Sequence, residues 1–426
     1  MTEFDLIIVG GSASGLCAAI QAARMNSMLS VAVLERMPRA GKKILATGNG
    51  RCNLSNIDAV THPYHNADFA KPALAKYDVA KTLAFFKSLG LLTVSDSEGR
   101  IYPMSNTAAS LLDALRFEAD RLHIKTLCNT AVQSVAKLPD GRFSLSCTQT
   151  MPVPEGAKSN GIIRTVFFAD KLIVAAGGRA SPAHGSDGSG HELLRQLGHH
   201  ITLLFPALVQ LVTDSATPKQ MKGIRVSAAI SVETDGVETA AAKGEILFTE
   251  YGLSGIAAME VSRVVSAHFA SGGTGGCCAV LDLAPALAKE ELYVFVNNIA
   301  LNNPALPIEK LLAGVLPGRV GQVVCKMAGL HDSTEKAGML TGQQLTAVVN
   351  TVKALRLEVK GTRGFDQAQV TAGGADVSEF SADSMQSRKV NNLYACGEIL
   401  DVDGGCGGFN LQWAWSSGLL AGELIR

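Results

Sequence analysis

The chain has 426 residues, 47% of them apolar and 18% charged, and its 38 basic and 38 acidic residues give a formal net charge of zero. That length suggests two or three domains around a large core, and the neutral balance without a long basic run argues against a nucleic-acid partner. No apolar run reaches the roughly 18 residues of a membrane span, and the first strand begins without a charged leader and apolar signal segment, so a cytoplasmic protein is expected.

Residues 4 to 25, FDLIIVGGSASGLCAAIQAARM, predict a strand, a tight turn and a helix. This is the opening of a dinucleotide-binding unit, in which a glycine permits the turn, a small residue admits a pyrophosphate and the helix N-terminus offers free N–H groups. The G-x-G-x-x-G pattern is present as Gly10-x-Ser12-x-x-Gly15, with Ala13 and Ser14 between. A second apolar strand, 30 to 34, ends in Glu35, at about the 20-residue distance where an acid bonds a ribose hydroxyl.

Residues 41 to 56, GKKILATGNGRCNLSN, read as a loop rich in N–H groups and positive charge, with Lys42, Lys43 and Arg51 suited to a pyrophosphate and to the electron-rich edge of a reduced flavin. Helical periodicity marks 78 to 89 and 107 to 121, the second with N-cap candidates at 105 to 107. Residues 124 to 148 read as a hairpin turning at Asp140-Gly141, and a loop from Met151, MPVPEGAKSNG, leads to a strand at 167 to 175. That strand ends at Gly177-Gly178, before a glycine-rich loop and a helix starting near His191. The loop is too disordered in its glycine spacing for a second dinucleotide fingerprint and reads as a flavin-side loop; His184 within it is a proton donor or an ordinary loop histidine.

From 203 to 357 the pattern changes to short alternating segments, expected to form a small antiparallel barrel or sheet, with helices around 254 to 269, 286 to 301 and 341 to 354 and a flexible connector SGGTGG at 271 to 276. The expected organisation is therefore a discontinuous nucleotide-binding domain, 1–202 with 358–426, interrupted by an insert domain, 203–357, that helps form a substrate pocket. Near the C-terminus a strand at 393 to 396 runs into Gly397-Glu398, and a loop with glycines at 404, 405, 407 and 408 opens a terminal helix from about Asn410. A second strand–glycine–acid element of this kind is required by FAD and not by NAD: the acid can hold a ribityl hydroxyl, and the helix end can stabilise charge on a reduced flavin. The nine cysteines form no C-x-x-C pair, so neither a redox dithiol nor a zinc or iron–sulfur site is expected.

Together GGSASGL, GKKILATGNGRCNLSN, EGRIYPMSNTAASLLDAL, AAGGRASPAHGSDGSG, LFTEYGLSG, VTAGGADVSE and GEILDVDGGCGGFNLQWAWSSG resemble the bacterial NAD(P)/FAD-dependent oxidoreductase family that includes aminoacetone oxidase and bile-acid 3-dehydro-4-reductase flavoproteins. The resemblance implies an α/β fold, a glutathione-reductase-like FAD-binding Rossmann domain interrupted by a β-barrel plus helical (α+β) insert. It implies FAD contacts at Ser12 to Gly15 (pyrophosphate), Glu35 (ribose), Lys42, Lys43, Arg51 and Asn53 (along the cofactor), Val132 (adenine), Gly397 and Glu398 (ribityl), and Gly408, Phe409 and Asn410 (isoalloxazine), and Gly10 and Gly177 are further candidate cofactor contacts. Many members carry histidine and proline at the positions of Glu250 and Ile256, and threonine and tyrosine at those of Cys406 and Phe409.

The expected function is FAD-dependent hydride exchange with a small organic substrate, with NADH or NADPH as transient reductant or oxygen as reoxidant. Glu250, Tyr251 and Asp403 are the candidate acid–base residues, each also explicable as a structural hydrogen-bonding group. Two other readings stand beside it: a tRNA-modifying flavoprotein passing on a folate-borne methylene, which would show a basic face and reactive cysteines, and a non-catalytic flavin-binding protein.

Overall fold

A computed structural model describes residues 2–150, 161–214, 216–273, 276–331 and 335–424. The loop expected from Met151 lies outside them except for its last residue, as do residues 274 and 275 of the 271–276 connector. The chain divides into two units, Met1–Leu204 with Val370–Arg426, and Phe205–Gln369.

The first unit is built on a seven-stranded sheet. Strands β1 (Glu3–Val9), β2 (Val31–Leu34), β3 (Lys125–Leu127), β6 (Ile162–Val174) and β7 (Leu393–Ala395) form its parallel part, while β4 (Thr130–Lys137) and β5 (Phe143–Thr150) add an antiparallel hairpin against the first half of β6. The register brings the carboxyl ends level: Val9 lies opposite Leu34 and Val174, Leu34 opposite Leu127, and Val174 opposite Ala395. The loops after these strands therefore leave from one edge of the sheet, where ligands of open parallel sheets bind.

Helix α1 (Ala13–Met25) buries nearly its whole length because its residues are small. It packs against the C-terminal helix α3 (Phe409–Gly422) so closely that a Cβ on Gly418 would stand 2.5 Å from the Ser14 carbonyl oxygen, and one on Gly422 would stand 2.5 Å from that of Ala18. Glycine at these two positions is what lets the helices touch. Trp413 and Trp415 on α3 are fully buried and donate to the Gly397 and Leu54 carbonyls, so α3 is pinned to the loops it faces.

Several expected elements change. Residues 41–56 are not one loop: Lys42–Ala46 is a short helix, α2, entered from Gly41 at φ +77°, followed by a 3-10 turn, Thr47–Gly50. The hairpin begins at Thr130, because Lys125–Leu127 pairs in parallel with β2 instead. Two unforeseen helices are Ala67–Lys76, which tolerates Pro72, and Gly318–Met327 in the second unit.

In the second unit six strands close into a barrel, in the order Leu211–Thr213, Gly252–Ser254, Val237–Phe248, Arg225–Thr234, Cys277–Asp282 and Leu355–Thr362. Alternation drives it: Val226, Ala228, Ile230 and Val232 are buried while their neighbours are more exposed. Leu355–Thr362 closes the barrel by pairing with both Cys277–Asp282 and Leu211–Thr213, so the insert runs to Gln369 and not to 357. Helices Lys289–Asn302, Gly318–Met327 and Gly342–Lys353 accompany it, the last opened by a capping box between Thr341 and Gln344.

Candidate cofactor site

The level strand ends of the first unit carry most of the residues singled out in the sequence. After β1 the chain turns through Gly10 at φ +105°, where a Cβ would lie 2.4 Å from the Ala175 carbonyl oxygen. Gly15 is tighter still, since its Cβ would fall 1.9 Å from the Gly10 oxygen. The strand-to-helix approach admits no side chain at either place. Ser12 is the N-cap of α1, but its side chain caps nothing, and the first intrahelical donor is Leu16 N–H to the Ser12 carbonyl at 2.9 Å. The N–H groups of Ala13, Ser14 and Gly15 have no carbonyl upstream to bond within the helix, and no acidic residue sits in that turn.

Glu35, 7% exposed, closes the turn from the β2 side. One carboxylate oxygen accepts the Gly11 N–H and the other the Met37 N–H, both at 2.8 Å. Burial pushes this carboxyl up, and the two N–H bonds pull it part of the way back. Beside it, Thr130 N–H on the outer strand β4 donates to the Glu35 carbonyl at 2.9 Å. Val132, two residues on, lies opposite Cys147 and packs against the core of this unit.

Glu398 leaves β7 through Gly397, at φ +79°, and meets Lys43 Nζ at 2.7 Å. Its other oxygen accepts the Thr371 N–H at 2.9 Å, while the Thr371 hydroxyl accepts from the N–H groups of Arg179 and Ala180 at 2.7 and 2.9 Å. Lys43, Glu398, Thr371 and the loop after Gly177 are thus one network. Gly177 turns at φ +73° against the Ser186 hydroxyl. Lys42 reaches the Ala183 carbonyl at 3.0 Å, whereas Arg51 turns away to the Tyr102 ring, 4.7 Å from its centroid.

At the head of α3, Gly408 takes φ +100°, and a Cβ there would meet the Ser55 carbonyl oxygen at 2.4 Å and Asn53 Oδ1 at 2.8 Å. Asn53 Oδ1 is itself buried and accepts no hydrogen bond. Asn410 folds back on the glycine loop, accepting from Gly404 N–H at 2.9 Å and donating to the Gly404 and Gly405 carbonyls. Phe409 stacks on His62, with centroids 3.7 Å apart. Thr371 and His62 were missed in the sequence because nothing local marks them; each acts on a segment far along the chain.

The acid–base candidates divide. Glu250 and Tyr251 belong to the second unit: Glu250 is paired with Lys222 at 2.6 Å and 61% exposed, and Tyr251 lies beside the Arg363 guanidinium, 4.6 Å from its ring centroid. The Lys222 charge holds the Glu250 carboxyl below its usual range. Asp403 belongs to the first unit, is 4% exposed, and its carbonyl accepts the His65 N–H. Burial and then the Lys42 and Lys43 charges lower the His184 imidazole. A serine–histidine–glutamate chain also exists, with Ser387 Oγ 3.0 Å from His199 Nε2 and His199 Nδ1 2.8 Å from Glu379. Its serine oxygen caps a turn by accepting the Lys389 and Val390 N–H groups and is buried, which makes the chain structural.

Residues 4–424 match the family described as HI0933-like protein Rossmann domain. The chain is 36% identical over 420 residues to a Clostridium scindens 3-dehydro-bile acid delta(4,6)-reductase, covering 98% of this chain and 97% of that protein. It is 29% identical over 425 residues to the Escherichia coli ribosomal RNA dihydrouridine synthase, covering 98% and 96%. Among solved structures, Escherichia coli quinol fumarate reductase superposes with a TM-score of 0.51 at 17% identity, over 99% of this chain and 69% of that one, a likeness of fold. The chain therefore belongs to the HI0933-like protein Rossmann domain family and has its Rossmann-type FAD-binding fold.

Proposed function

We propose that the protein is an FAD-dependent reductase of a carbon–carbon double bond conjugated with a carbonyl group, reduced in turn by NADH or NADPH. The observation that carries the reading is the single sheet edge where the α1 N-terminus, Glu35, Glu398 and the unpaired acceptor Asn53 Oδ1 all belong to one unit. These residues fit FAD. The α1 N–H groups suit the pyrophosphate, Glu35 the ribose, and β4 around Val132 the adenine. Glu398 keeps lone pairs for a ribityl hydroxyl beside Lys43, and Asn53 Oδ1 offers an acceptor for the one N–H of an oxidised flavin ring.

When bound, FAD supplies two-electron hydride exchange with substrate. The protein's part is to place and bias it. The α3 N-terminus, free of acids in its first turn, favours negative charge near Gly408, Phe409 and Asn410. Lys43 pairs with Glu398 at 2.7 Å and fixes that carboxylate in place.

The names of the two relatives share one chemistry, addition of hydrogen across a double bond next to a carbonyl, and this supports the substrate class. The higher identity to the bile-acid enzyme and the zero net charge favour a small hydrophobic enone. The second reading is uridine reduction in ribosomal RNA, supported by the 29% identical relative. Methylene transfer is less well supported, because burial pushes the Cys52 and Cys396 thiols up to about 12 and leaves them without thiolate character. The test is the anaerobic absorbance spectrum of the purified protein before and after NADH or NADPH. Bleaching of the flavin band by either supports the reading; a bound flavin that ignores both while a substrate reduces it would make the protein an oxidase or dehydrogenase, and no flavin uptake would refute it.

A further inference from the structure

The loop before α3 holds four glycines at 404, 405, 407 and 408, with Gly407 at φ +128°, and such a segment is costly to order. One short stretch, residues 62–66, fastens it. His62 Nε2 accepts the Gly405 N–H at 2.9 Å, and Tyr64 Oη donates to the Phe409 carbonyl at 3.0 Å. His65 N–H donates to the Asp403 carbonyl at 2.8 Å, and Asn66 Nδ2 to the Asp401 carbonyl at 2.7 Å. The His62 ring lies flat on Phe409, at 3.7 Å and 8°, and Tyr64 meets it edge-on at 5.0 Å and 86°.

We infer that His62 is a positioning residue for the cofactor, its acceptor nitrogen fixing Gly405 and its ring fixing Phe409 so that the α3 N-terminus is set before any ligand arrives. The inference rests on the flavin reading above. To accept the Gly405 N–H, Nε2 must keep its lone pair, which places the ring proton on Nδ1 and leaves the imidazole neutral. Burial agrees, pulling the group down to about 4. A protonated ring would set one N–H against another and release the loop. His62 acts through Gly405 and Phe409.

The two functions of the ring can be separated. His62→Phe keeps the stack and loses the acceptor, whereas His62→Gln places an amide oxygen near the Nε2 position and loses the stack. Full-length protein stripped of flavin is titrated with FAD, and the flavin midpoint potential is measured on the reloaded protein. His62→Phe is expected to weaken FAD binding about tenfold, the loss of one hydrogen bond at the site, and to make the potential more negative; His62→Gln stays within about threefold of wild type. Wild-type affinity and potential in a folded His62→Phe protein would overturn the inference and leave the flavin reading standing. So would a folded His62→Gln protein that fares no better than His62→Phe. A wild-type protein that takes up no FAD would overturn both.

Discussion

Replacing Gly15 by alanine tests the strand-to-helix approach directly. The added Cβ would lie 1.9 Å from the Gly10 carbonyl oxygen, while real Cβ contacts are essentially never below 3.0 Å, so the two backbones must part by about 1.1 Å. An N–H group placed at about 2.9 Å from a phosphate oxygen would then stand near 4.0 Å, outside hydrogen-bond range. Hydrogen bonds to a charged group contribute about 1.5–3 kcal/mol each, so loss of one weakens FAD binding by about 10- to 150-fold. Overpacking costs a further 1–3 kcal/mol or so of fold stability, and a control must separate the two effects. Gly141→Ala serves: Gly141 takes φ +88° with nothing within 4 Å of its Cβ, so the substitution strains the hairpin turn without crowding a neighbour. The left-handed strain there is about 1–2 kcal/mol. Titrating flavin-free protein with FAD, alongside thermal unfolding, should show both variants destabilised and only Gly15→Ala impaired in binding. A folded Gly15→Ala protein that binds FAD within threefold or so of wild type would show that the close strand-to-helix approach does not govern binding.

Two other outcomes are expected. His191 is fully buried, and burial lowers its imidazole from 6.5 to about 4. Above pH 6.5 both folded and unfolded chains carry it neutral; as pH falls from 6.5 to about 4 only the unfolded chain takes up the proton, so stability drops, by up to about 3 kcal/mol in all. His191→Leu should flatten the stability profile in that window, and parallel profiles from denaturant titrations would contradict this. Glu250→Gln should leave flavin reduction and reoxidation rates unchanged, because the carboxylate is 61% exposed and only paired with Lys222; a large fall in either rate would restore Glu250 as a catalytic candidate.

What could be read from the chain was local. β1, the Gly10 turn, α1 and Glu35 follow one another within 33 residues, Glu3 to Glu35, and each carries its own periodicity or turn residue. Strand β3 was lost in the expected hairpin because its three residues are too few to show a period and its partner is β2. The end of the insert was misplaced for a related reason: Leu355–Thr362 has its barrel partners at 277–282 and 211–213, far upstream. Helix Ala67–Lys76 was hidden by Pro72, a residue that argues against helix in sequence. His62 could not be found at all from its neighbourhood, since the Gly405 N–H it accepts lies 343 residues away. Lys43 and Glu398 each stand in a glycine-rich stretch of the sequence, but their 2.7 Å pairing joins segments 355 residues apart and is not visible there.

Under the proposed function, electrons held on the flavin go to a carbon–carbon double bond conjugated with a carbonyl. The most direct measurement mixes the anaerobically reduced protein with a 3-oxo-Δ4 steroid and follows the flavin band and the enone absorption together. The flavin is expected to reoxidise as the enone is lost and a saturated ketone forms, in equal amounts. A reduced flavin that is untouched by the steroid, yet reoxidises when unmodified ribosomal RNA or air is admitted, would contradict it.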